Sequence, residues 1–282
     1  MPLVSLNEIL KDAQKRNYAV PGFNFHLYED LKAIIKGAEE MRSPVIIMAS
    51  GSCIRHWGPK LAAEIVIELA NMAKIPVVAH LDHASDMSLI FKAMKAGFTS
   101  VMYDGSLLPL EENISNTKIV VKVAKSLGIS VEAEVGRVGK SEEGEDVSEI
   151  LTDPMVAVKF VEETEVDALA VAVGTVHGMQ KQSANLNMDL CKELSRVVPV
   201  PLVLHGSSGV KNSDLIELST KTNFRKINIG TRLKTVYMNR IREILKNDPA
   251  LKNPLLLMEE ASSAVTETVK EKISFLGSAN KA

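Results

Sequence analysis

The chain has 282 residues, of which 46% are hydrophobic, and its 33 basic and 35 acidic side chains leave a formal net charge of −2. This composition is that of an ordinary globular enzyme and excludes a disordered or fibrous chain, and without a basic run no nucleic-acid partner is expected. The length fits one large domain or two small ones.

The N-terminal segment, residues 1–17, predicts a short amphipathic helix, because no apolar core follows basic residues as it would in a signal peptide. No uncharged apolar run approaches the roughly 20 residues that span a bilayer. Cys53 and Cys191 lie far apart with no Cys-x-x-Cys pairing, which indicates neither a disulfide framework nor a thiolate zinc site. We therefore expect a cytoplasmic protein with no membrane partner.

Short apolar runs alternate with helical patterns along most of the chain, in eight cycles. Runs of this kind are typical of parallel strands that are covered on both faces. The predicted strands are 18–24, 44–50, 76–83, 100–106, 129–136, 168–174, 201–207 and 226–231. Apolar residues at three- and four-residue spacing predict helices between them, at 30–41, 59–73, 111–127 and 187–197.

Eight strand-helix units predict a closed (β/α)8 TIM barrel of the α/β class, since an open doubly wound sheet usually has fewer strands. The first strand-helix turn also lacks the Gly-x-Gly-x-x-Gly of a dinucleotide-binding fold. Because no stretch of the sequence has the composition of a linker, residues 1–282 are interpreted as a single barrel domain with a C-terminal helical segment. Residues 136–154 are acidic, glycine-dotted and aperiodic, which predicts a solvated loop or a mobile lid.

Ionisable side chains stand at the carboxyl ends of the predicted strands, which meet at one mouth of such a barrel. His83, His177 and His205 lie at or just beyond three different strand ends and predict a three-imidazole zinc site of the catalytic type. A single histidine in such a place is more often a structural, hydrogen-bonded residue. Other polar groups at strand ends are Asp82, Asp104, Glu132, Glu134 and Asn228.

Two residues beside His83 are interpreted by strand alternation. His80 is assigned to the opposite face of the strand and is read as structural. Asp82 also alternates away from His83 in a regular strand, although both reach the mouth if the strand turns there. The alternative for Asp82 is an N-cap of the helix that starts near Asp86.

Glycine-rich segments follow the last two predicted strands, "HGSSGV" at 205–210 and "NIGT" at 228–231. Barrels frequently build a phosphate site there from backbone N–H groups and a helix N-terminus. Ordinary turns use glycine and serine as well. The adjacent positions of the two loops favour phosphate binding.

Eight segments follow one another in the order in which one enzyme family has them: "YAVPGFN", "HLDH", "GFTSVMYDGS", "ISVEAEVG", "GTVHG", "PLVLHGSSG", "KINIGT" and "KEKISFLGSANKA". On these motifs the sequence resembles the class II, metal-dependent ketose-bisphosphate aldolases over essentially its whole length. The resemblance implies zinc-dependent aldol cleavage or condensation of fructose or tagatose 1,6-bisphosphate through a metal-stabilised enediolate. The cleavage products would be dihydroxyacetone phosphate and glyceraldehyde 3-phosphate.

The resemblance places the family's zinc ligands on His83, His177 and His205, the residues that the strand ends also indicate. Asp104 and Glu134 match acidic positions near the metal that are associated with a second or alternative metal site and with orienting the ligands. The implied cofactor is Zn²⁺, with a monovalent cation commonly bound nearby.

Two residues match the family's proton-transfer groups. Asp82 matches the aspartate that handles the proton of the C4 hydroxyl as the carbon-carbon bond breaks or forms. Glu142, with Glu143 beside it, matches the loop glutamate that takes the C3 proton.

The resemblance also implies the substrate contacts, which are Asn24, Gly178, Lys181, Gly206, Ser207, Ser208, Asn228, Gly230 and Thr231. Gly230 stands where fructose-bisphosphate enzymes often have a larger polar residue, which favours the tagatose branch. The two sugars differ only at C4, so fructose and tagatose 1,6-bisphosphates stay near-equal candidates beside another phosphorylated ketose. A homodimer or homotetramer is implied as well.

Two alternatives to the zinc lyase stay open. A lysine-imine aldolase requires a nucleophilic lysine inside a strand, and the predicted strands hold none because Lys226 only opens the last one. A non-catalytic phosphosugar-binding subunit is the second alternative, since a fold does not guarantee an activity.

Overall fold

The computed structural model describes residues 3–142, 145–178 and 184–282, and of residues 140–142 and 145–147 it describes the backbone alone. Eight parallel strands close into a barrel with helices around it, so the predicted (β/α)8 fold of the α/β class is confirmed. That residues 1–282 form one domain stays a prediction. Within the described residues, no helix combines the length and the hydropathy needed to cross a membrane.

Elements are numbered in chain order. The barrel strands are β1 (Val20–Asn24), β2 (Val45–Ala49), β3 (Val77–Ala84), β4 (Ser100–Tyr103), β5 (Ser130–Val135), β8 (Ala168–Val171), β10 (Leu202–Leu204) and β11 (Phe224–Ile229). A separate small sheet contains β6 (Gly139–Glu142), β7 (Glu145–Val147) and β9 (Val176–His177). The helices are α1 (Leu6–Arg16), α2 (Tyr28–Glu40), α3 (Gly51–Met72), α4 (Met87–Ala96), α5 (Leu110–Ser126), α6 (Pro154–Thr164), α7 (Met188–Val197), α8 (Asn212–Lys221), α9 (Thr231–Asn247) and α10 (Pro254–Leu276).

Around the barrel the strands follow the order β1-β11-β10-β8-β5-β4-β3-β2, and β2 pairs with β1 to close the circle. All eight pairings are parallel. The carboxyl ends of all eight strands therefore face one mouth.

Side chains alternate between two apolar layers along each barrel strand. In β2, Ile46 and Met48 belong to the cluster inside the barrel, whereas Val45 and Ile47 belong to the cluster between barrel and helices. This two-sided burial explains why the strands read as continuous apolar runs in the sequence.

Helix α1 covers the amino-terminal end of the barrel. Leu6 and Leu10 are fully buried in the same cluster as the interior strand residues. Ser5 and Glu8 form a reciprocal capping box that starts the helix. The amphipathic helix predicted for residues 1–17 is confirmed, and its apolar face closes the bottom of the barrel.

The position of the last strand differs from the prediction. Strand β11 starts at Phe224, two residues before the predicted 226–231, so Lys226 lies inside the strand and the statement that no strand holds an interior lysine is wrong. Lys226 is fully buried, and its Nζ donates to Glu132 Oε2 at 2.6 Å. Adjacent Arg225 donates to the backbone oxygens of Tyr18 and Ser219. These buried partners explain why a strand accommodates two cations.

Two connections contain more structure than the sequence indicates. Helix α3 starts at Gly51, before the predicted 59–73, and has a break at Gly58, where φ is 73°. Residues 136–154, predicted as a loop or lid without regular structure, contain the antiparallel pair β6 and β7. Strand β6 also pairs in parallel with β9. The prediction that this segment moves as a lid stays a prediction.

Helices α2 and α10 pack in close contact at Gly37. A Cβ atom at Gly37 would lie 2.8 Å from Val269 Cγ1 and 3.0 Å from the backbone oxygen of Thr266. Glycine-to-alanine substitution inside a helix ordinarily stabilises by about 0.5–1 kcal/mol. Here the overlap would push α10 away, and such overpacking costs about 1–3 kcal/mol.

We therefore expect Gly37→Ala to lower the free energy of unfolding by about 1 kcal/mol, measured by urea denaturation. In a Val269→Ala background the same substitution should cost less, because the shortened side chain leaves room for the added methyl group. A Gly37→Ala protein that is more stable than the parent would contradict the close approach of the two helices.

Candidate active site

A polar cleft of about 380 Å³ opens at the carboxyl-terminal mouth of the barrel. Many of the site residues predicted from the sequence line it, namely Asn24, Asp82, His83, His177, Gly178, Gly206, Ser207, Ser208, Asn228, Gly230 and Thr231. Asp104 and Glu134 do not line the cleft but lie against His83. Lys181 and the side chain of Glu142 lie outside the described residues.

Three histidines converge in this cleft from different places in the chain. His83 lies in β3, His177 in β9, and His205 directly follows β10. Their ring nitrogens lie within 4.8 Å of one another, and neighbouring ring centroids are 4.5 to 5.7 Å apart. Three converging imidazoles are a donor set that suits a catalytic zinc ion.

A bulge in β3 brings two adjacent residues to the mouth together. In a regular strand Asp82 and His83 would point to opposite faces. The register between β3 and β4 shifts between Leu81 and Ala84, and His83 has a left-handed φ of 49°. Because of this irregularity both side chains line the cleft. The N-cap alternative for Asp82 is wrong, since Asp86 itself caps α4 by accepting from the backbone N–H of Ser88.

Two carboxylates fix the orientation of two of the rings. His83 Nδ1 lies 2.7 Å from Asp104 Oδ2, and His205 Nε2 lies 2.9 Å from Glu132 Oε1. A carboxylate accepts the ring hydrogen in each contact, so the other nitrogen of each neutral ring presents a lone pair. Those other nitrogens, His83 Nε2 and His205 Nδ1, face each other at 2.7 Å. Two lone pairs in this position require a proton or a metal ion between them.

The two facing histidines differ in basicity. Burial lowers the pKa of His83, but Asp82 and the hydrogen-bonded Asp104 outweigh it and raise the value to about 9. Burial, together with the charge of His83, lowers the pKa of His205. Without a metal ion, His83 therefore carries the proton and His205 accepts it. A metal ion at this point would replace that proton and would be bound by both nitrogens.

A second group of potential metal ligands adjoins the first and shares His83 with it. Asp104 and Glu134 complete this group, with ligand atoms again within 4.8 Å of one another. Glu134 Oε1 accepts from the backbone N–H of Val138 at 3.1 Å, whereas Oε2 is buried and has no hydrogen-bond partner among the described residues. A buried carboxylate oxygen without a partner fits a cation or a proton at this position.

The Asp82 carboxylate is held at both of its oxygens. Asn24 Nδ2 donates to Oδ2 at 2.8 Å, and Asn228 Nδ2 donates to Oδ1 at 3.3 Å. Burial alone would raise the pKa of Asp82, but its positively charged surroundings, with His83 foremost, lower it to about 2. An ionised carboxylate fixed beside the histidines can accept a proton from a substrate hydroxyl.

The opposite side of the cleft is built from the glycine-rich segments after β10 and β11. Ser207 Oγ donates to the backbone oxygen of Asn228, and Ser208 Oγ accepts from the backbone N–H of Arg232 at 3.2 Å. Helix α9 begins at Thr231, so the positive end of its dipole points to the cleft. These features suit an anion such as a phosphate group.

Gly230 lies in close contact with Asn24. A Cβ atom at Gly230 would lie 2.7 Å from Asn24 Oδ1. Any larger residue at this position would therefore displace the side chain that holds Asp82.

The end of β2 contributes residues that the sequence interpretation overlooked. Ser50, Ser52 and Arg55 line the cleft beside His26. The guanidinium of Arg55 is exposed and forms no ion pair with the described residues. Ser50 stands at the end of a predicted strand, which is the same signal that identified the histidines. Arg55 is not at a strand end and gives no such signal.

Comparison with known proteins gives the family of the chain. The family described as "Fructose-bisphosphate aldolase class-II" matches residues 4–281. A 6-phospho-5-dehydro-2-deoxy-D-gluconate aldolase of Bacillus licheniformis is 41% identical over 285 aligned positions, which cover 100% of this chain and 97% of that protein.

Two solved structures show the same architecture. The YdjI aldolase of Escherichia coli K12 is 36% identical with a TM-score of 0.88, and the match covers 99% of both chains. A fructose-bisphosphate aldolase of Campylobacter jejuni is 24% identical with a TM-score of 0.87 over 99% of this chain and 97% of that one. The second likeness shows the fold alone.

The buried Glu134 carboxyl predicts a pH-dependent stability of the metal-free protein. Burial and the neighbouring Asp104 charge raise the pKa of Glu134 from 4.5 to about 8. The folded protein then binds this proton more tightly than the unfolded chain does. The stabilisation is complete below pH 4.5 and is lost as the pH rises towards 8.

In chelator-treated protein, we expect the free energy of unfolding of the parent to fall by at least about 1 kcal/mol relative to Glu134→Gln between pH 5 and pH 8. Urea denaturation of both proteins at the two pH values measures this difference. An identical pH dependence in both would show that Glu134 is ionised throughout.

Proposed function

The chain belongs to the class-II fructose-bisphosphate aldolase family, and from this we propose that it cleaves and forms a carbon-carbon bond in a phosphorylated ketose with a Zn²⁺ ion held by His83, His177 and His205. It is an aldolase, and family membership removes the non-catalytic binding subunit from consideration. The observation that carries the zinc proposal is the 2.7 Å approach of two ring nitrogens whose opposite nitrogens face carboxylates.

The residues of this chain divide the proton transfers between them. When bound, Zn²⁺ supplies Lewis-acid stabilisation of the negative charge that develops on the ketose oxygens. Asp82 takes the proton of the hydroxyl next to the bond that breaks, because its two oxygens are fixed by Asn24 and Asn228. Glu142, at the end of β6, is proposed as the base for the C3 proton. Asp104 and Glu134 would hold a second or alternative metal ion.

A lysine imine is not required by this arrangement. Lys226 does lie inside a strand, contrary to the sequence interpretation, but it is fully buried and does not line the cleft. Its Nζ lies 2.6 Å from Glu132 Oε2 and 3.2 Å from His80 Nε2. A substrate carbonyl in the cleft does not reach this amine.

The proposed substrate has its phosphate on the side of β10 and β11. Backbone and side chains at Gly178, Gly206, Ser207, Ser208, Asn228, Gly230 and Thr231 would hold the phosphate of dihydroxyacetone phosphate. Lys181, which lies outside the described residues, and a monovalent cation are proposed as further members of the substrate site. The proposed assembly is a homodimer or homotetramer.

The other end of the substrate extends past Asp82 towards β2, which lies three strands away from β10 around the barrel. At this part of the cleft, Arg55 provides a positive charge beside the hydroxyl groups of Ser50 and Ser52. Its guanidinium favours a substrate with a second anionic group. Fructose and tagatose 1,6-bisphosphates provide a phosphate there. The substrate named for the Bacillus licheniformis relative provides a carboxylate instead.

That relative's substrate shares its reacting half with the bisphosphates. In 6-phospho-5-dehydro-2-deoxygluconate the ketone carbon is next to the phosphate-bearing carbon, as it is in a ketose 1-phosphate. Cleavage would therefore release dihydroxyacetone phosphate in every case. The 41% identity favours this carboxylate substrate, and fructose and tagatose 1,6-bisphosphates are the second candidates.

A cleavage assay on Zn²⁺-supplemented protein tests the activity and the substrate together. We expect dihydroxyacetone phosphate to form from at least one of the three substrates, and kcat/KM to be highest for 6-phospho-5-dehydro-2-deoxygluconate. Chelation should abolish cleavage and Zn²⁺ should restore it. The variant His83→Ala should lose bound zinc and activity, whereas His56→Ala, on the exposed surface of α3, should keep both. Cleavage that survives complete metal removal would contradict the proposal.

The role of Arg55 is tested separately. Removal of a charge-assisted contact costs about 1.5–3 kcal/mol, so Arg55→Met should raise KM on the order of tenfold or more with a smaller change in kcat. Lys60→Met, which removes an exposed charge from the same helix, is the matched control. An unchanged KM in the Arg55 variant would show that the distal group binds elsewhere.

A further inference from the structure

A chain of polar groups crosses the barrel interior beneath the three histidines. Lys226 Nζ donates to Glu132 Oε2 at 2.6 Å, and Glu132 Oε1 lies 2.9 Å from His205 Nε2. His80 Nε2 lies 3.2 Å from the same Lys226 Nζ. All four side chains have no exposed surface. Strands β3, β5 and β11, together with the residue that follows β10, are thereby linked inside the barrel.

The direction of each hydrogen bond follows from Lys226. An ammonium group only donates, so His80 Nε2 is an acceptor and the ring hydrogen of His80 is on Nδ1. That nitrogen donates to Ser100 Oγ at 2.8 Å. His80 is therefore neutral, in agreement with its pKa, which burial and Lys226 lower to about 3. The ammonium is positioned between a neutral imidazole and one carboxylate.

A buried ion pair is weak evidence for a role in stability, because apolar residues of similar volume often serve as well. The interior of such a barrel is ordinarily filled by branched apolar side chains. In this ion pair, one oxygen of Glu132 binds Lys226 and the other oxygen is directed at His205. The ion pair therefore affects the orientation of His205 at the mouth of the barrel.

Glu132 determines which nitrogen of His205 faces the metal position. By accepting the hydrogen of Nε2, it leaves the lone pair on Nδ1, which faces His83 Nε2 at 2.7 Å. Lys226 binds the other Glu132 oxygen and so prevents the carboxylate from rotating away. Without the ammonium, the carboxylate would be a single uncompensated charge in a dry interior.

We propose that Lys226 is a positioning residue of this aldolase, which acts through Glu132 to hold the His205 ring with Nδ1 directed at the metal. The inference rests on the proposed zinc site. Carboxylates that orient metal-binding histidines typically contribute 10–100-fold to metal affinity. The lysine extends this arrangement by one further residue, from the metal ligand to the centre of the barrel.

The test measures metal affinity rather than turnover. Zn²⁺ affinity is obtained by competition with a chromophoric chelator, and the ligand geometry by the visible absorption bands of the Co²⁺-substituted protein. Lys226→Met is expected to weaken Zn²⁺ binding by 10–100-fold and to change the Co²⁺ bands. Lys272→Met is the matched control, because it removes a buried lysine of α10 that donates to Asn212 instead. It should leave both readouts unchanged.

A double variant separates positioning from simple loss of packing. In Lys226→Met with Glu132→Gln, the uncompensated charge is gone and the amide oxygen still accepts from His205 Nε2. Zn²⁺ affinity should therefore recover relative to Lys226→Met alone. If Lys226→Met does not fold, Glu132→Gln alone decides. With Lys226 present, the single amide oxygen accepts from the ammonium and the NH2 group faces His205 Nε2, so a weakening of the same size is expected.

The outcomes distinguish the two proposals. A parent protein that binds no Zn²⁺ overturns the proposed function together with this inference. The positioning role is overturned, and the zinc aldolase left intact, if the parent binds Zn²⁺ tightly while both Lys226→Met and Glu132→Gln keep a Zn²⁺ affinity within twofold of the parent and the same Co²⁺ bands.

Discussion

Parallel closure of the barrel is the constraint on which the site depends, because it directs the carboxyl ends of eight strands to one mouth. Barrel closure thereby brings together the strand ends that carry residues as distant in sequence as His83 and His205. The same closure creates an interior that no solvent reaches. Any charge placed there must find its partner on another strand, as Lys226 and Glu132 do.

The interior is layered from bottom to top by polarity. Helix α1 covers an apolar lower layer, the ion pair of Glu132 and Lys226 lies above it, and the histidines lie at the mouth. The polar middle layer has well-defined hydrogen-bond directions, whereas apolar packing tolerates small rotations of a side chain. The His205 ring, which is hydrogen-bonded to Glu132 of this layer, is thus held in a defined orientation.

The sequence predicts the barrel and most of the cleft because both depend on repeated, local signals. Apolar runs covered on two faces are readable one by one, and polar residues at their ends must meet once the barrel closes. The start of β11 could not be predicted in this way. Arg225 and Lys226 resemble the end of a loop, and only their buried partners on other strands make them part of β11.

Irregular backbone is the other feature that escapes a reading of the sequence. The bulge that turns Asp82 and His83 to the same side depends on how β3 pairs with β4, not on either residue type. The β6 and β7 pair forms in an acidic segment with no apolar alternation, and its backbone bonds provide the order that side-chain pattern does not. Arg55 gains its place from the early start of α3, ahead of the break at Gly58.

The pairing between β6 and β9 has a mechanical consequence. Strand β9 has only two residues, and its register places Lys140 of β6 opposite His177. The backbone of His177 is thereby paired with β6, the strand that ends at Glu142, whereas His83 lies in barrel strand β3 and His205 directly follows barrel strand β10. We therefore expect local unfolding of this segment to loosen the imidazole of His177 at the same time. In amide hydrogen exchange, the backbone around His177 is therefore expected to exchange together with β6 and not with the barrel strands.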